Sequence, residues 1–253
     1  MHDDALIGFT GFVGTTLMAQ AHFTALYRST NIDEIRGKRF DTVVCAGAPG
    51  VKWKANACPD EDKAAIHALM RGLEEVQCRR LVLISTVDVF SDPVGVDEDT
   101  AIEPAALKPY GLHRRMLEQF VAGHFEETLT VRLPGLVGAG LRKNVIFDLK
   151  HGNDLPKIDP RGVFQFYPMQ NLWSDIGVAS ASGLRLVHLT AEPVSVEDIA
   201  LEGFDMRLPR TFDGQPASYD FRTRHAALFG AAGMYQYRKA DTLAAVREYA
   251  RAA

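Results

Sequence analysis

The stretch Ala5-Leu6-Ile7-Gly8-Phe9-Thr10-Gly11-Phe12-Val13-Gly14 decides the fold. Its apolar start reads as a short buried strand, and the residues from Gly14 to about His22 read as a helix. Between them lie three glycines, Gly8, Gly11 and Gly14, spaced three apart. A strand-to-helix loop that turns sharply, lets a pyrophosphate approach the backbone and packs helix against strand needs small residues at such places. The helix N-terminus then points its unpaired N–H groups at the phosphates. The loop predicts a dinucleotide site lined by Gly8, Thr10, Gly11, Phe12, Val13 and Gly14.

Working outward, short apolar runs alternate with amphipathic stretches. Strands are expected over 24–27, 42–46, 81–85 and 129–133, with a short element near 32–35. Residues 60–76 carry Ala65, Ile66, Leu69, Met70, Leu73 and Val76 at helical spacing, with Asp60 placed to cap the start. Residues 110–125 repeat the pattern with Leu112, Met116, Leu117, Phe120 and Val121. Continuous apolar strands between amphipathic helices mean a parallel sheet covered on both faces. The fold class expected is therefore α/β, a doubly wound Rossmann sheet. Residues 1–140 are read as the NAD(P)-binding domain and 141–253 as a smaller substrate-side region completing the same globule. In that second part, residues 148–161 read as irregular and polar. Residues 164–167 and 185–189 read as strands, 171–183 and 241–252 as helices, and Ser195 as a helix start.

Bulk properties narrow the function. The 253 residues are 47% hydrophobic and 24% charged, with a net charge of −4. No basic stripe for nucleic acid and no polybasic membrane patch stands out. There is no stretch of 18 apolar residues and no basic start of a signal peptide. Cys45, Cys58 and Cys78 are odd in number and form no Cys-x-x-Cys. These features point to a cytoplasmic protein without disulfides. The eight histidines show no ligand spacing, so no metal is expected.

At the end of the second strand an NAD site usually carries an acid that binds the ribose hydroxyls. Here Arg28 stands 20 residues after Gly8, followed by Ser29 and Thr30. A cation with two hydroxyls suits a 2′-phosphate, which favours NADP(H) over NAD(H).

Further along come Leu83-Ile84-Ser85-Thr86-Val87-Asp88-Val89-Phe90, then Pro109-Tyr110-Gly111-Leu112-His113-Arg114, then Arg132-Leu133-Pro134-Gly135-Leu136-Val137-Gly138. With the glycine loop, these motifs in this order resemble the extended, and atypical extended, short-chain dehydrogenases/reductases. The resemblance is to the NAD-dependent epimerase/dehydratase group and covers residues 4–150 best. It implies Thr86 as the hydroxyl that orients substrate, with Ser85 as the alternative, and Tyr110 as the acid/base. Arg114 stands where the family has the lysine of Tyr-x-x-x-Lys. Tyr110 and Arg114 are four apart on one helix and share a face, and a nearby cation is expected to favour tyrosinate. Arginine is larger and planar, so the exchange is not neutral. Ala46, Gly47, Ala48 and Pro134 complete the cofactor-binding candidates. Asp88 corresponds to an acid that assists proton transfer in dehydratases of this kind; a turn or capping role is the alternative.

Other features read as structural. His113 is expected at the surface, Cys45 in the core and Arg132 in a structural pair. Trp53, between Lys52 and Lys54, covers the cofactor or sits in a loop. Arg142-Lys143-Asn144 recognises an anion or opens a helix. The helices around 60–77 and 110–125 have stripes compatible with a homodimer and equally with packing on the sheet. Two functions follow. The first is an NADP(H)-dependent oxidoreductase or epimerase that moves a hydride to or from a carbonyl or carbinol carbon of a small molecule such as a sugar or sugar nucleotide. The second is a non-catalytic NAD(P)-binding sensor or scaffold.

Overall fold

The computed structural model describes residues 3–209 and 212–252. His2, one of the eight histidines, lies outside the described residues. In chain order the elements are β1 (Asp4–Ile7), α1 (Phe12–Gln20), β2 (Ala25–Tyr27), β3 (Arg39–Cys45), α2 (Lys52–Ala57), α3 (Pro59–Leu73) and β4 (Gln77–Thr86). Next come β5 (Val94–Val96), α4 (Pro109–His124), β6 (Thr128–Leu133), β7 (Gly135–Val137), α5 (Val145–His151), β8 (Val163–Phe164) and β9 (Phe166–Pro168). The chain closes with α6 (Leu172–Ala181), β10 (Leu186–His188), β11 (Val194–Ser195), α7 (Val196–Phe204), β12 (Asp220–Phe221) and α8 (Lys239–Arg251).

Two compact units share these elements. The first comprises Met1–Ser91, Ala101–Arg132 and Ile176–Val187. Its six-stranded parallel sheet runs β2-β1-β3-β4-β6-β10. In register, Leu6 of β1 pairs with Leu26 of β2 on one side and Val44 of β3 on the other. The chain thus moves outward from β1 to β2 and then returns past β1 to lay down β3. That reversal makes the β1/β3 crevice the topological switch point, where ligands of open α/β sheets bind at the carboxyl ends of the strands. The glycine loop leaves β1 at that place. Strand faces are apolar on both sides because helices cover both. Ile7, Val43, Cys45, Leu81 and Leu83 are buried in one cluster with Ile66, Leu69 and Leu73 of α3 and Leu117 and Val121 of α4. The stripes of α3 and α4 are therefore core surface.

One helix start differs from the reading above. Asp60 does not cap α3. The helix begins at Pro59 with Cys58 before it and no side-chain cap. Proline at the first position already has helical φ and lacks the N–H a cap would satisfy. Asp60, Glu61 and Asp62 fill the first turn instead, where negative charge suits the helix dipole.

The second unit comprises Asp92–Thr100, Leu133–Asp175 and His188–Ala253. Among its described residues are the two-stranded ladders β5 with β12, β7 with β9 and β8 with β11. Helix α5 lies at 145–151, where the sequence reads partly as irregular. Asn144, at φ 113°, accepts hydrogen bonds from Ile146 N and Phe147 N through its side chain, and Gly152 ends the helix in the left-handed region. A seven-residue helix with only Ile146 and Leu149 buried is too short for periodicity to show. Ser195 does start α7, its Oγ accepting from Asp198 N at 3.0 Å. Glu98 ties this unit together by accepting from His188 N at 2.8 Å, Thr223 Oγ1 at 2.6 Å and Arg224 N at 2.9 Å. Among the described residues, no helix is long and apolar enough to cross a membrane.

Candidate active site

The glycine loop is built by close approach. Gly8 has φ +87°, and a Cβ there would lie 2.3 Å from Ala46 O. A Cβ on Gly14 would lie 2.1 Å from Gly8 O. Both positions exclude any side chain, which presses α1 onto the loop and the loop onto the end of β3. Ala46 and Gly47 are thereby placed against the loop. Gly11 is different. A Cβ there would meet only Gly8 O, at 3.5 Å, and the residue is exposed. Gly11 is also the N-cap of α1, with no side-chain cap and no acid in the first turn. The N-terminus of α1 thus keeps its partial positive charge without an internal anion, the electrostatic setting that suits a phosphate.

One strand further along, β4 ends at Thr86. Gly111 brings α4 against the segment that follows: a Cβ on it would lie 1.9 Å from Asp88 O. This contact sets Tyr110, in the first turn of α4, near Thr86, whose side chain pulls the phenol pKa down. Asn56 of α2 accepts from Tyr110 N at 3.0 Å, capping the exposed end of the helix from outside it.

Tyr110 and Arg114 do share a face, with the guanidinium carbon 3.9 Å from the Tyr110 ring centroid. The guanidinium is buried and almost fully committed. Nη1 donates to Asp62 Oδ2 and to Tyr110 O, and Nη2 donates to Asp62 Oδ1 at 2.8 Å and to Pro49 O. Four of its five N–H donors are spent on protein acceptors. Nε has no partner and is buried. Burial alone would raise the Asp62 carboxyl, but Arg114 and His113 hold it below its ordinary value. His113 is a correction to the expected surface position: it is buried, with Nδ1 2.7 Å from Asp62 Oδ2.

The phenol of Tyr110 is also not what its neighbour alone predicts. Burial raises its pKa above the ordinary tyrosine value. Arg114, Thr86 and Lys52 pull it down and Asp88 pushes it up, and the net direction is upward. The expected tyrosinate gives way to a neutral phenol, because desolvation of the charged form outweighs the attraction of Arg114.

The two candidate hydroxyls separate cleanly. Ser85 Oγ donates to buried Glu118 Oε1 at 2.6 Å. Glu118 also holds Arg132 through Nε at 2.9 Å and Nη2 at 2.8 Å, the structural pair expected for Arg132. Thr86 faces Tyr110 and accepts from Asp88 N at 3.2 Å. Asp88 in turn is ion-paired with Lys52, Nζ to Oδ1 2.6 Å. Lys52 and Asn56 carry no motif, and sequence reasoning did not assign them. The run Val51-Lys52-Trp53-Lys54, an abrupt cluster of large and basic residues after a strand end, was the available signal.

The remaining candidates lie at the edges. Arg28 and Ser29 are exposed at the end of β2, where Arg28 Nε donates to Thr30 Oγ1 at 2.9 Å. Pro134 belongs to the second unit. Trp53 is 75% exposed on α2. Cys45 is buried, which pushes its thiol up to about 11 and makes it inert. Asn144 is the helix opener of its trio, and Arg142 and Lys143 beside it are exposed.

No protein-family profile matches the chain, and no curated protein matches it in sequence. Solved structures do. A UDP-N-acetylglucosamine 4-epimerase from Methanobrevibacter ruminantium M1 in complex with UDP-N-acetylmuramic acid superposes with a TM-score of 0.77 at 11% identity, covering 99% of this chain and 97% of that one. A dTDP-4-dehydrorhamnose reductase from Bacillus anthracis str. Ames in complex with NADP gives 0.75 at 15% identity, covering 98% of each. The chain has the fold of these epimerase and reductase structures. The Bordetella bronchiseptica enzyme WbmG in complex with NAD superposes with a TM-score of 0.71 at 16% identity, covering 87% of this chain and 85% of that one.

The residues present fit a dinucleotide. The uncapped end of α1 and the unpartnered Nε of Arg114 are two places where protein groups lack the partners a bound ligand supplies, and the open side of Gly11 leaves room for one at the first. A buried donor without a partner is costly, and native proteins seldom keep one without a ligand or water to satisfy it.

Proposed function

We propose that the chain is an NADP(H)-dependent oxidoreductase or epimerase acting on a carbonyl or carbinol carbon of a sugar or sugar nucleotide. The observation that carries this reading is the Thr86–Tyr110 hydroxyl pair at the end of β4, in the same sheet whose β1 ends in the glycine loop. Gly8, Gly11 and Gly14 with the N-terminus of α1 would hold the pyrophosphate, helped by Thr10, Phe12, Val13, Ala46, Gly47 and Ala48. Pro134 is carried with them from the motif. Arg28 and Ser29 would hold a 2′-phosphate. The nicotinamide group, when bound, supplies or accepts a hydride at the substrate carbon.

The chain's own work is to hold the oxygen and manage its proton. Thr86 hydrogen-bonds the substrate oxygen and keeps Tyr110 oriented. Tyr110, a neutral phenol in these surroundings, gives its Oη proton to the oxygen as the carbonyl is reduced, and takes it back in the reverse direction. The raised pKa keeps the proton on the phenol until the substrate oxygen gains the charge that draws it. Arg114 fixes the Tyr110 ring by stacking and biases the phenol electrostatically. The sugar-nucleotide class is supported by the fold neighbours, a UDP-sugar epimerase and a dTDP-sugar reductase.

Calorimetric titration with NADPH, NADP+, NADH and NAD+ tests the cofactor. Micromolar binding of the phosphorylated pair, weakened in Arg28→Ala, is expected. Preference for the NAD pair would overturn the NADP assignment, and no binding by any of the four would remove the enzyme reading. With a turned-over carbonyl substrate, Tyr110→Phe should lose about 10²–10⁴ in rate while still binding cofactor.

One observation favours the second reading, a nucleotide-binding sensor or scaffold. Arg114 spends four donors on Asp62, Pro49 and Tyr110, leaving one for a ribose. Cofactor binding with turnover indifferent to Tyr110→Phe would select this reading.

A further inference from the structure

In the Tyr-x-x-x-Lys pattern a flexible cation stands beside the tyrosine. Here that position holds Arg114, immobilised by Asp62. A second cation reaches the same phenol from another element. Lys52 of α2 places Nζ 2.6 Å from Asp88 Oδ1, and its side chain is 44% exposed against 20% for Asp88. Asp88 touches Thr86 twice, its backbone N–H donating to Thr86 Oγ1 at 3.2 Å and its Oδ2 lying 3.4 Å from the same atom. Thr86 lies near Tyr110, and its side chain pulls the phenol pKa down. The result is a connected chain, Lys52–Asp88–Thr86–Tyr110, running from half-exposed ammonium to partly buried phenol. The same helix holds the Tyr110 backbone through Asn56, at 3.0 Å, and Pro49 just before it holds Arg114. Residues 49–57 therefore hold Tyr110 at its backbone and two of its charged neighbours, Asp88 and Arg114, without any of them belonging to a motif.

We propose that Lys52 is a positioning residue for Tyr110, acting through Asp88: it cancels the charge Asp88 turns toward the phenol and keeps Asp88 and Thr86 in line with it. The inference rests on Tyr110 being the acid of the site. The physical case is one of unequal mobility. Arg114 contributes a constant field, because its partners are buried and fixed. Lys52 is the only one of the two whose pairing can be exchanged with solvent or with an incoming anion, so the net charge near Tyr110 is set at this pair. The charged groups facing Tyr110 are Arg114 from α4, Asp88 from the segment after β4 and Lys52 from α2. Asp62 of α3 meets it only through Arg114.

The test reads the phenol directly and needs no substrate. Protein made with 3-fluorotyrosine is titrated by 19F NMR, and the Tyr110 resonance is the one absent from Tyr110→Phe. Lys52→Met should move its midpoint upward, on the order of one pH unit. Asp88→Asn should move it downward, and Lys52→Arg should leave it near the parent value. An unmoved midpoint in Lys52→Met, shifts of the same sign in Lys52→Met and Asp88→Asn, or a Lys52→Arg that behaves like Lys52→Met would each overturn the proposal. Failure of turnover in the parent protein would count against the proposed function and leave this reading of the phenol standing.

Discussion

Two ion pairs flank Tyr110, and they differ in nearly every physical respect. Arg114–Asp62 is buried, bidentate and supported by His113 and Pro49. Lys52–Asp88 is a single contact with a half-exposed ammonium. In the buried pair, low dielectric makes removal of one partner severe, because the other charge stays behind without water. In the exposed pair, solvent and salt replace the lost partner. The comparison teaches that a cation's motif position does not tell its task. The one in the motif anchors α4 to α3, and the one outside it is paired where solvent and salt reach.

The comparison breaks first at Asp62. Asp62→Ala should cost about 3–5 kcal/mol by urea unfolding, since Arg114 would be left charged and buried. A loss below 1 kcal/mol would mean that water reaches the guanidinium and the pair is not a closed one. The pH dependence follows from the same group. Its folded pKa is below the unfolded value of about 3.9, so its contribution is complete above that value and is lost as pH falls through the lower folded one. Asp62→Asn should flatten this acid limb of the stability profile.

A smaller effect is expected at Gly111, which brings the two pairs to one phenol. Gly111→Ala drives a Cβ into Asp88 O and should cost about 1–3 kcal/mol. Turnover should fall with it as Tyr110 and Thr86 separate. Full stability in this variant would show that α4 has room to shift. The smallest effect sharpens the contrast: Lys52→Met should change stability by no more than about 1 kcal/mol in chemical denaturation. A larger loss would make this pair structural like the other.

Much of the first unit was legible because its signals are local. Three glycines after an apolar strand dictate a tight turn wherever that strand goes. The apolar runs at 42–46 and 81–85 read as strands covered on both faces, and they are. Helix α5 was legible only at its start, as one of two readings of Arg142-Lys143-Asn144, since a short helix is made by its Asn144 cap and Gly152 stop more than by period. Thr86 stood ahead of Ser85 on the resemblance alone, with nothing local to separate them. Neighbours on a strand point to opposite faces, and only the fold shows that Ser85 Oγ is taken up by buried Glu118 while Thr86 lies toward Tyr110. The burial of Tyr110 was equally invisible, and with it the sign of its pKa shift.

By itself the sequence determined the alternation of strand and helix, the glycine loop, and the presence of Thr86, Tyr110 and Arg114 in a recognisable order. These depend on period, turn chemistry and spacing, all of which act within a few residues. Only the tertiary structure decided the partners. Asp62 lies 52 residues from Arg114, and Lys52 lies 36 from Asp88. Nothing along the chain relates such residues until strands β3 and β4 pair and α3 and α4 pack on one face. Whether a charge is locked or responsive is a matter of the dielectric around it, and the folded surroundings set that.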